Sequence, residues 1–241
     1  MTTPTPVSCR VTGLTDLTPE IRKVLVSPRT AGFRHRPGQF ARVTFKGIPP
    51  RDYSLANAPA ENANDAPVYE FHIRRERGGL ATRHVFADLQ PGDPVDVSGP
   101  YGTGYLREKH TGPIVAIGGG SGLAPMIAIV DAVLRSDPDR PVHLYIGARD
   151  EPDLYLLDRF DKLQARHRGF RYTPVLSDPA RPTDRRTGFV HEAVLDDDPD
   201  LVDVKIYMAG PPVMVENARG AFLSTGIAED DLHHDTLPPA P

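Results

Sequence analysis

Gly118-Gly119-Gly120-Ser121-Gly122-Leu123-Ala124-Pro125 is a glycine turn set between two apolar runs. Ile114-Val115-Ala116-Ile117 before it reads as a buried strand, and Met126-Ile127-Ala128-Ile129-Val130 after it reads as a buried helix. A strand, a glycine turn and a helix start make a phosphate cradle. Glycine lets the backbone approach an anion closely, and the N–H groups at the helix start meet its charge. Pro125 stands where a Rossmann fingerprint has a third small residue. Proline suits that place, because the first helical turn has no use for its missing N–H. More than a hundred residues precede the turn, so another unit is built before the nucleotide site.

Two further groups carry chemistry less specifically. Arg51-Asp52-Tyr53-Ser54 combines a guanidinium fork that suits a phosphate, a ring that can cover a flat heterocycle, and a hydroxyl. The same residues also describe an ordinary amphipathic strand. Gly78-Gly79-Leu80-Ala81-Thr82 could offer N–H groups and a threonine hydroxyl to a pyrophosphate, or could be a plain glycine turn opening a helix.

The elements around these groups have two different periods. Before residue 106, Tyr69/Phe71/Ile73 alternate with Glu70/His72/Arg74, and Ala41/Val43/Phe45 with Arg42/Thr44. Short runs at 21–26, 51–56 and 95–98 are punctuated by Pro37-Gly38, Gly47, Pro91-Gly92-Asp93 and Gly99-Pro100. Period two with frequent turns predicts an antiparallel β-barrel, interrupted by one helix near 80–89. Beyond residue 113, strands predicted at 114–118, 142–147, 170–176 and 204–208 alternate with helices at 124–135, 153–166, 190–196 and 211–224. That order implies an α/β domain with a parallel sheet and right-handed crossovers. The fold class is therefore a barrel domain over 1–108 followed by a parallel-sheet domain over 109–241, with 106–113 as the boundary.

Composition narrows the chemistry. A net charge of -4 gives no reason to expect nucleic acid or an anionic membrane surface. The 26 prolines and 21 glycines are spread along the chain, which reads as turns rather than disorder. The start, Met1-Thr2-Thr3-Pro4-Thr5-Pro6, has no basic or apolar segment, so no secretory signal is expected and the location is read as cytoplasmic. The single cysteine, Cys9, lies on the apolar side of an alternation and reads as a core residue; alone it allows neither a disulfide nor a four-cysteine iron–sulfur cluster. The nine histidines show no metal-ligand spacing, so no metal site is expected. No Gly-Lys-Ser/Thr follows a glycine loop, and Leu123 breaks a nucleophile-elbow reading of Gly120-Ser121-Gly122.

Taken in order along nearly the whole chain, these motifs resemble the ferredoxin–NADP⁺ reductase superfamily, most of all the flavoprotein reductase modules of bacterial aromatic-ring and alkane/methane oxygenases. Arg51-Asp52-Tyr53-Ser54-Leu55-Ala56-Asn57 resembles the family's flavin motif, with Phe71-His72-Ile73-Arg74 and the 78–82 turn as its second flavin and pyrophosphate segment. Gly99-Pro100-Tyr101-Gly102 resembles the turn that closes the barrel. The 118–125 turn resembles the nicotinamide-dinucleotide turn, and Tyr145-Ile146-Gly147-Ala148-Arg149 with Asp153-Leu154-Tyr155 resembles the adenosine side. Gly210-Pro211-Pro212-Val213-Met214 resembles the turn beside the nicotinamide.

The resemblance implies a role for each matching residue. Arg51 would pair with the FAD pyrophosphate, Tyr53 would lie against the isoalloxazine and Ser54 would sit near flavin N5. His72, Ile73 and Arg74 would line the flavin or its phosphates, and Gly79, Leu80 and Thr82 would hold the pyrophosphate. Gly119, Gly120, Gly122 and Pro125 would shape the dinucleotide turn, Arg149 and Asp150 would flank the adenosine, and Ala209, Gly210 and Pro211 would border the nicotinamide. Tyr53, Ser54 and Asp235 are the catalytic candidates. The sequence departs from the family twice: Ala209 replaces the usual cysteine, and Leu237 stands where an aromatic follows the C-terminal acid.

The implied activity is that of an FAD-dependent oxidoreductase. It would take hydride from NADH and pass single electrons to a separate ferredoxin or oxygenase component. An NAD(P)H:flavin reductase that releases reduced flavin is one alternative, and a non-enzymatic nucleotide-binding module is another. NADH is expected over NADPH because Ser177-Asp178 occupies the place of a Ser-Arg pair in NADPH users, and Asp150 and Glu151 add negative charge; Arg149 argues the other way.

Overall fold

The computed structural model describes residues 4–59, 67–198 and 200–235. Its first six strands are β1 (Val7–Thr18), β2 (Ile21–Pro28), β3 (Phe40–Phe45), β4 (Arg51–Ser54), β5 (Tyr69–Arg74) and β6 (Pro94–Tyr101), with helix α1 (Leu80–Ala87) between the last two. They form one antiparallel sheet in the order β4-β3-β6-β1-β2-β5. The outermost strands meet through a bridge between Leu55 and Phe71, so the sheet curls round on itself. The alternation read in the sequence lines the inside: Cys9, Val11, Ala41, Val43, Phe45, Tyr69, Phe71, Ile73, Val95 and Val97 form one buried cluster.

The second sheet is parallel, with order β10-β9-β8-β7-β11-β12. Its strands are β7 (Ile114–Gly119), β8 (Val142–Ala148), β9 (Phe170–Leu176), β10 (Arg186–Thr187), β11 (Lys205–Ala209) and β12 (Leu232–His234). Helices α2 (Leu123–Ser136), α3 (Leu157–Arg166), α4 (Val190–Asp197) and α5 (Pro212–Ser224) make the crossovers. β7 is buried along its whole length, as a central parallel strand covered on both faces should be. From β7 the chain runs outward through β8, β9 and β10, then returns to β7's other side with β11. The order in which strands are added therefore reverses between β7 and β11, the switch point where ligands of such sheets bind. The glycine turn leaves the C-terminal end of β7, and the turn Ala209-Gly210-Pro211 leaves that of β11.

The two sheets share packing. Ile21 of β2 and Leu106 of the connecting loop are buried in the cluster built mainly from α2, β7 and β8. Some boundaries differ from the periodicity. α3 begins at Leu157 rather than 153, because 151–153 forms a short 3₁₀ turn and Leu156 takes a left-handed backbone (φ 60°). α1 stops at Ala87, short of 89. β10 and β12 are short sheet-edge strands that the periodicity did not mark. Among the described residues no helix is long and apolar enough to cross a membrane. Leu237 lies outside the described residues.

Candidate functional site

The turn at the end of β7 is too tight for side chains. A Cβ on Gly118 would lie 2.7 Å from the Leu123 Cα, and one on Gly119 would lie 2.6 Å from the Met214 sulfur. A Cβ on Gly122 would lie 2.3 Å from the Ala209 carbonyl oxygen and 2.5 Å from the Gly210 nitrogen. The two switch-point turns thus pack backbone against backbone. Gly210 closes its turn at φ 156°, and Pro211 and Pro212 start α5. Gly120 differs: it takes φ +56°, and a Cβ there would meet only the Arg74 guanidinium, 3.5 Å away. Pro125 is buried in the first turn of α2, whose start has no side-chain cap. The switch point therefore has turn N–H groups with no side-chain cap, apart from that of Leu123, which the Gly120 and Ser121 carbonyls take, and an arginine from the barrel stands opposite the turn.

β4 and β5 supply the barrel's side. In β4 the carboxylate of Asp52 accepts two bonds from Arg42 of β3, at 2.8 and 3.0 Å, which fixes the strand pair. Arg51 is half-exposed beside it and donates to the Pro50 carbonyl at 2.9 Å. Tyr53 packs near Phe71, and burial together with the nearby Glu76 charge pushes its hydroxyl up to about 12. Ser54 ends the strand, half-buried.

In β5 the side chains of His72 and Ile73 are buried on opposite faces, Ile73 in the barrel core and His72 against Tyr155 of the second domain. Neither faces open space, as lining a ligand with the side chain would require. What β5 offers is its main chain and Arg74. The Arg75 N–H bonds the Glu20 carbonyl on the β2 side, whereas the Glu70 carbonyl takes the Ala56 N–H on the other. By alternation, the main-chain groups of His72 and Arg74 face away from β2, toward β4 and the space beyond it.

The 78–82 turn also departs from expectation. Gly78 has φ +77°, and Gly79 starts α1 without a side-chain cap, so the first-turn N–H groups remain for an anion. Thr82 is different: its hydroxyl accepts from the Glu76 N–H at 3.2 Å and lies equally close to the Glu76 and Gly79 carbonyls. It closes the loop rather than facing outward. Leu80 beside it is 58% exposed.

At the same C-terminal edge of the second sheet, just beyond β8, Arg149 is exposed and 3.5 Å from the Asp178 carboxylate. Asp150 accepts from the Glu151 N–H at 2.8 Å and caps a short turn, and Glu151 takes Thr183 and Arg185. Asp153-Leu154-Tyr155, expected with them, separates from this group. Asp153 completes the cap, but the left-handed Leu156 sets Tyr155 into the interior, where its hydroxyl reaches Gly120 and His72. Nothing in the local sequence marks this contact, because its partners are 35 and 83 residues away. Asp235 likewise crosses between the domains: it accepts from the Thr103 N–H at 2.6 Å, at the turn that ends β6.

Phosphate chemistry fits these residues. Both glycine-opened helix starts lack a side-chain cap, Arg51 is half-exposed, and the exposed Arg74 stands at the Gly120 turn; N–H groups and guanidinium groups of this kind suit an anion.

Comparison with known proteins agrees in register. Residues 9–105 match the oxidoreductase FAD-binding domain and residues 116–220 the oxidoreductase NAD-binding domain. The chain is 36% identical over 230 residues to the ferredoxin–NAD(P)⁺ reductase component of the naphthalene 1,2-dioxygenase/salicylate 5-hydroxylase systems of a Ralstonia species, covering 95% of this chain and 68% of that protein. It is 36% identical over 207 residues to the corresponding naphthalene 1,2-dioxygenase component of Pseudomonas putida, covering 86% of this chain and 62% of that one. The crystal structure of an Amycolatopsis cytochrome P450 reductase superposes with a TM-score of 0.89 at 36% identity, over 99% of this chain and 72% of that one.

Proposed function

The chain belongs to the ferredoxin–NADP⁺ reductase superfamily, with an FAD-binding and an NAD-binding domain, and from that premise we propose that it is an NADH-oxidising flavoprotein reductase. It would pass electrons singly to a ferredoxin or oxygenase component outside these 241 residues. The observation that carries this reading is the meeting of Gly120 and Arg74, which sets the dinucleotide turn against the flavin strand. The reading divides the chain at 108/109, in the loop between β6 and β7, and places the protein in the cytoplasm.

When bound, FAD supplies two-electron chemistry toward nicotinamide and one-electron chemistry toward an acceptor. The residues around it bind and orient. Arg51 and the first-turn N–H groups of α1 hold the flavin's pyrophosphate, with Gly79 allowing the approach and Leu80 as its apolar edge. Tyr53 covers the ring system, and Ser54 and the main chain of His72 and Arg74 border it. Burial keeps Tyr53 protonated across the working range, so it acts as a neutral surface. Gly119, Gly120, Gly122 and Pro125 shape the cradle for the nicotinamide dinucleotide. Ala209, Gly210 and Pro211 form the wall beside its ring, and Arg149 and Asp150 flank its adenosine. Asp235, tied to Thr103, keeps the end of the second domain on the barrel.

Gel filtration of the purified protein tests this reading against that of a flavin reductase. Flavin that co-elutes, and is recovered as FAD on heat release, supports a resident cofactor. Elution without flavin, or recovery of FMN, contradicts it.

A further inference from the structure

We propose that Tyr155 is a positioning residue for the dinucleotide turn: its single hydroxyl ties the Gly120 carbonyl to His72 of the barrel, and protonation of His72 strengthens that tie and tightens dinucleotide binding. The inference rests on the reading that this turn holds a nicotinamide dinucleotide.

Tyr155 is buried between the domains, with its ring edge-on to His72 at 5.6 Å. Its oxygen lies 3.2 Å from the Gly120 carbonyl oxygen and 3.3 Å from His72 Nδ1. The other imidazole nitrogen, Nε2, lies 2.9 Å from a Glu70 carboxylate oxygen. A carboxylate can only accept, so the first imidazole proton sits on Nε2 and neutral His72 offers a lone pair at Nδ1. Tyr155 then has one proton and two acceptors, and the Gly120 carbonyl holds it only part of the time.

A second proton on His72 changes the count. Nδ1–H donates to the Tyr155 oxygen, and the Tyr155 O–H goes undivided to Gly120. That carbonyl also takes the Leu123 N–H. In a planar trans peptide the C=O and the next N–H point in opposite directions. Fixing the Gly120 oxygen therefore fixes the Ser121 N–H pointing out of the helix start, where an anion is met.

The groups facing His72 are Glu70 on its own strand, Lys23 on β2, and Tyr155 and Arg159 from the second domain. Burial lowers the affinity of His72 for its second proton, Glu70 opposes that effect, and the positive Lys23 and Arg159 add to it. The change therefore falls below the usual histidine range near pH 6.5.

The test is calorimetric titration of the flavin-loaded protein with NAD⁺ from pH 8 down to the lowest pH at which flavin stays bound, for the native chain, Tyr155→Phe and His72→Gln. The native Kd should tighten as pH falls below 6.5; a flat native profile over the whole range overturns the inference. Tyr155→Phe should bind about threefold to tenfold more weakly at the lowest pH, the size of one hydrogen bond, and show no slope. His72→Gln keeps the hydroxyl but cannot titrate, so its Kd should not vary with pH. If Tyr155→Phe does not fold or loses flavin, His72→Gln alone decides. Native-like affinity and slope in Tyr155→Phe, or a native slope in His72→Gln, overturns the inference while leaving the dinucleotide reading intact. Failure of the native protein to bind NAD⁺ at any pH overturns both.

Discussion

At the scale of single residues, the site is shaped most by atoms that are missing. Gly122 touches the Ala209–Gly210 peptide so closely that a methyl group would overlap backbone, which cannot rotate out of the way. Gly122→Ala should weaken NAD⁺ binding by at least about tenfold while flavin stays bound, because a displaced turn loses the aim of its N–H groups. Native affinity in that variant, measured by titration, would contradict the assigned contact. Charge around Arg149, proposed to flank the adenosine, sets the second prediction. Arg149 has Asp178 within 3.5 Å, and Arg185 is held by Glu151, so each arginine has a carboxylate beside it. A 2′-phosphate would meet those carboxylates. Asp178→Ser should raise the ratio of kcat/KM for NADPH over NADH by about fivefold to tenfold, the scale of a partly screened like-charge contact. No change in the ratio would remove Asp178 from the account of specificity. The glycine turns were legible as turns because glycine and proline at such spacing break regular structure. The jobs of Thr82, Asp52 and Tyr155 were not, since each is decided by a partner distant in sequence or by a loop's return path.

At the scale of elements, the long strands and α2 appeared where their periods predicted, and the short edges did not. β10 has two residues and β12 three, too few for an alternation to register. The start of α3 was misplaced because a left-handed leucine interrupts the pattern, and no residue type announces that conformation. β12 nevertheless has a measurable consequence. His233 is buried against Tyr207 of β11, and its Nε2 has no hydrogen-bond partner among the described residues. Burial, helped by Arg107 and Lys205, pushes its pKa down to about 4, and burial does the same for His143 on β8. In the unfolded chain both titrate near 6.5. The stability they carry is thus complete above that pH, and is lost as pH falls from about 6.5 toward 4, where the unfolded chain takes up protons first. The loss from His233 is on the order of 3 kcal/mol by pH 4. Thermal melts of His233→Gln across this range should show a shallower decline in Tm than the native protein. An identical slope would show that His233 is not held neutral.

At the scale of the whole molecule, the proposed function depends on two sheets that meet at one seam. Ile21 and Leu106 pack into the second domain's core, Arg74 faces Gly120, Tyr155 reaches His72, and Asp235 caps the turn after β6. The division into a barrel and a parallel sheet was legible from the change of period near residue 110, but the seam was not, because it joins residues of opposite halves. On the proposed reading, a nicotinamide at the switch point would reach a flavin lying along β4 and β5. Anaerobic titration of the purified protein with NADH, followed by absorbance, tests this directly. The FAD spectrum should bleach in proportion to the NADH added, to completion near one equivalent per flavin. A bound flavin whose spectrum does not change on adding NADH or NADPH would contradict the proposed function.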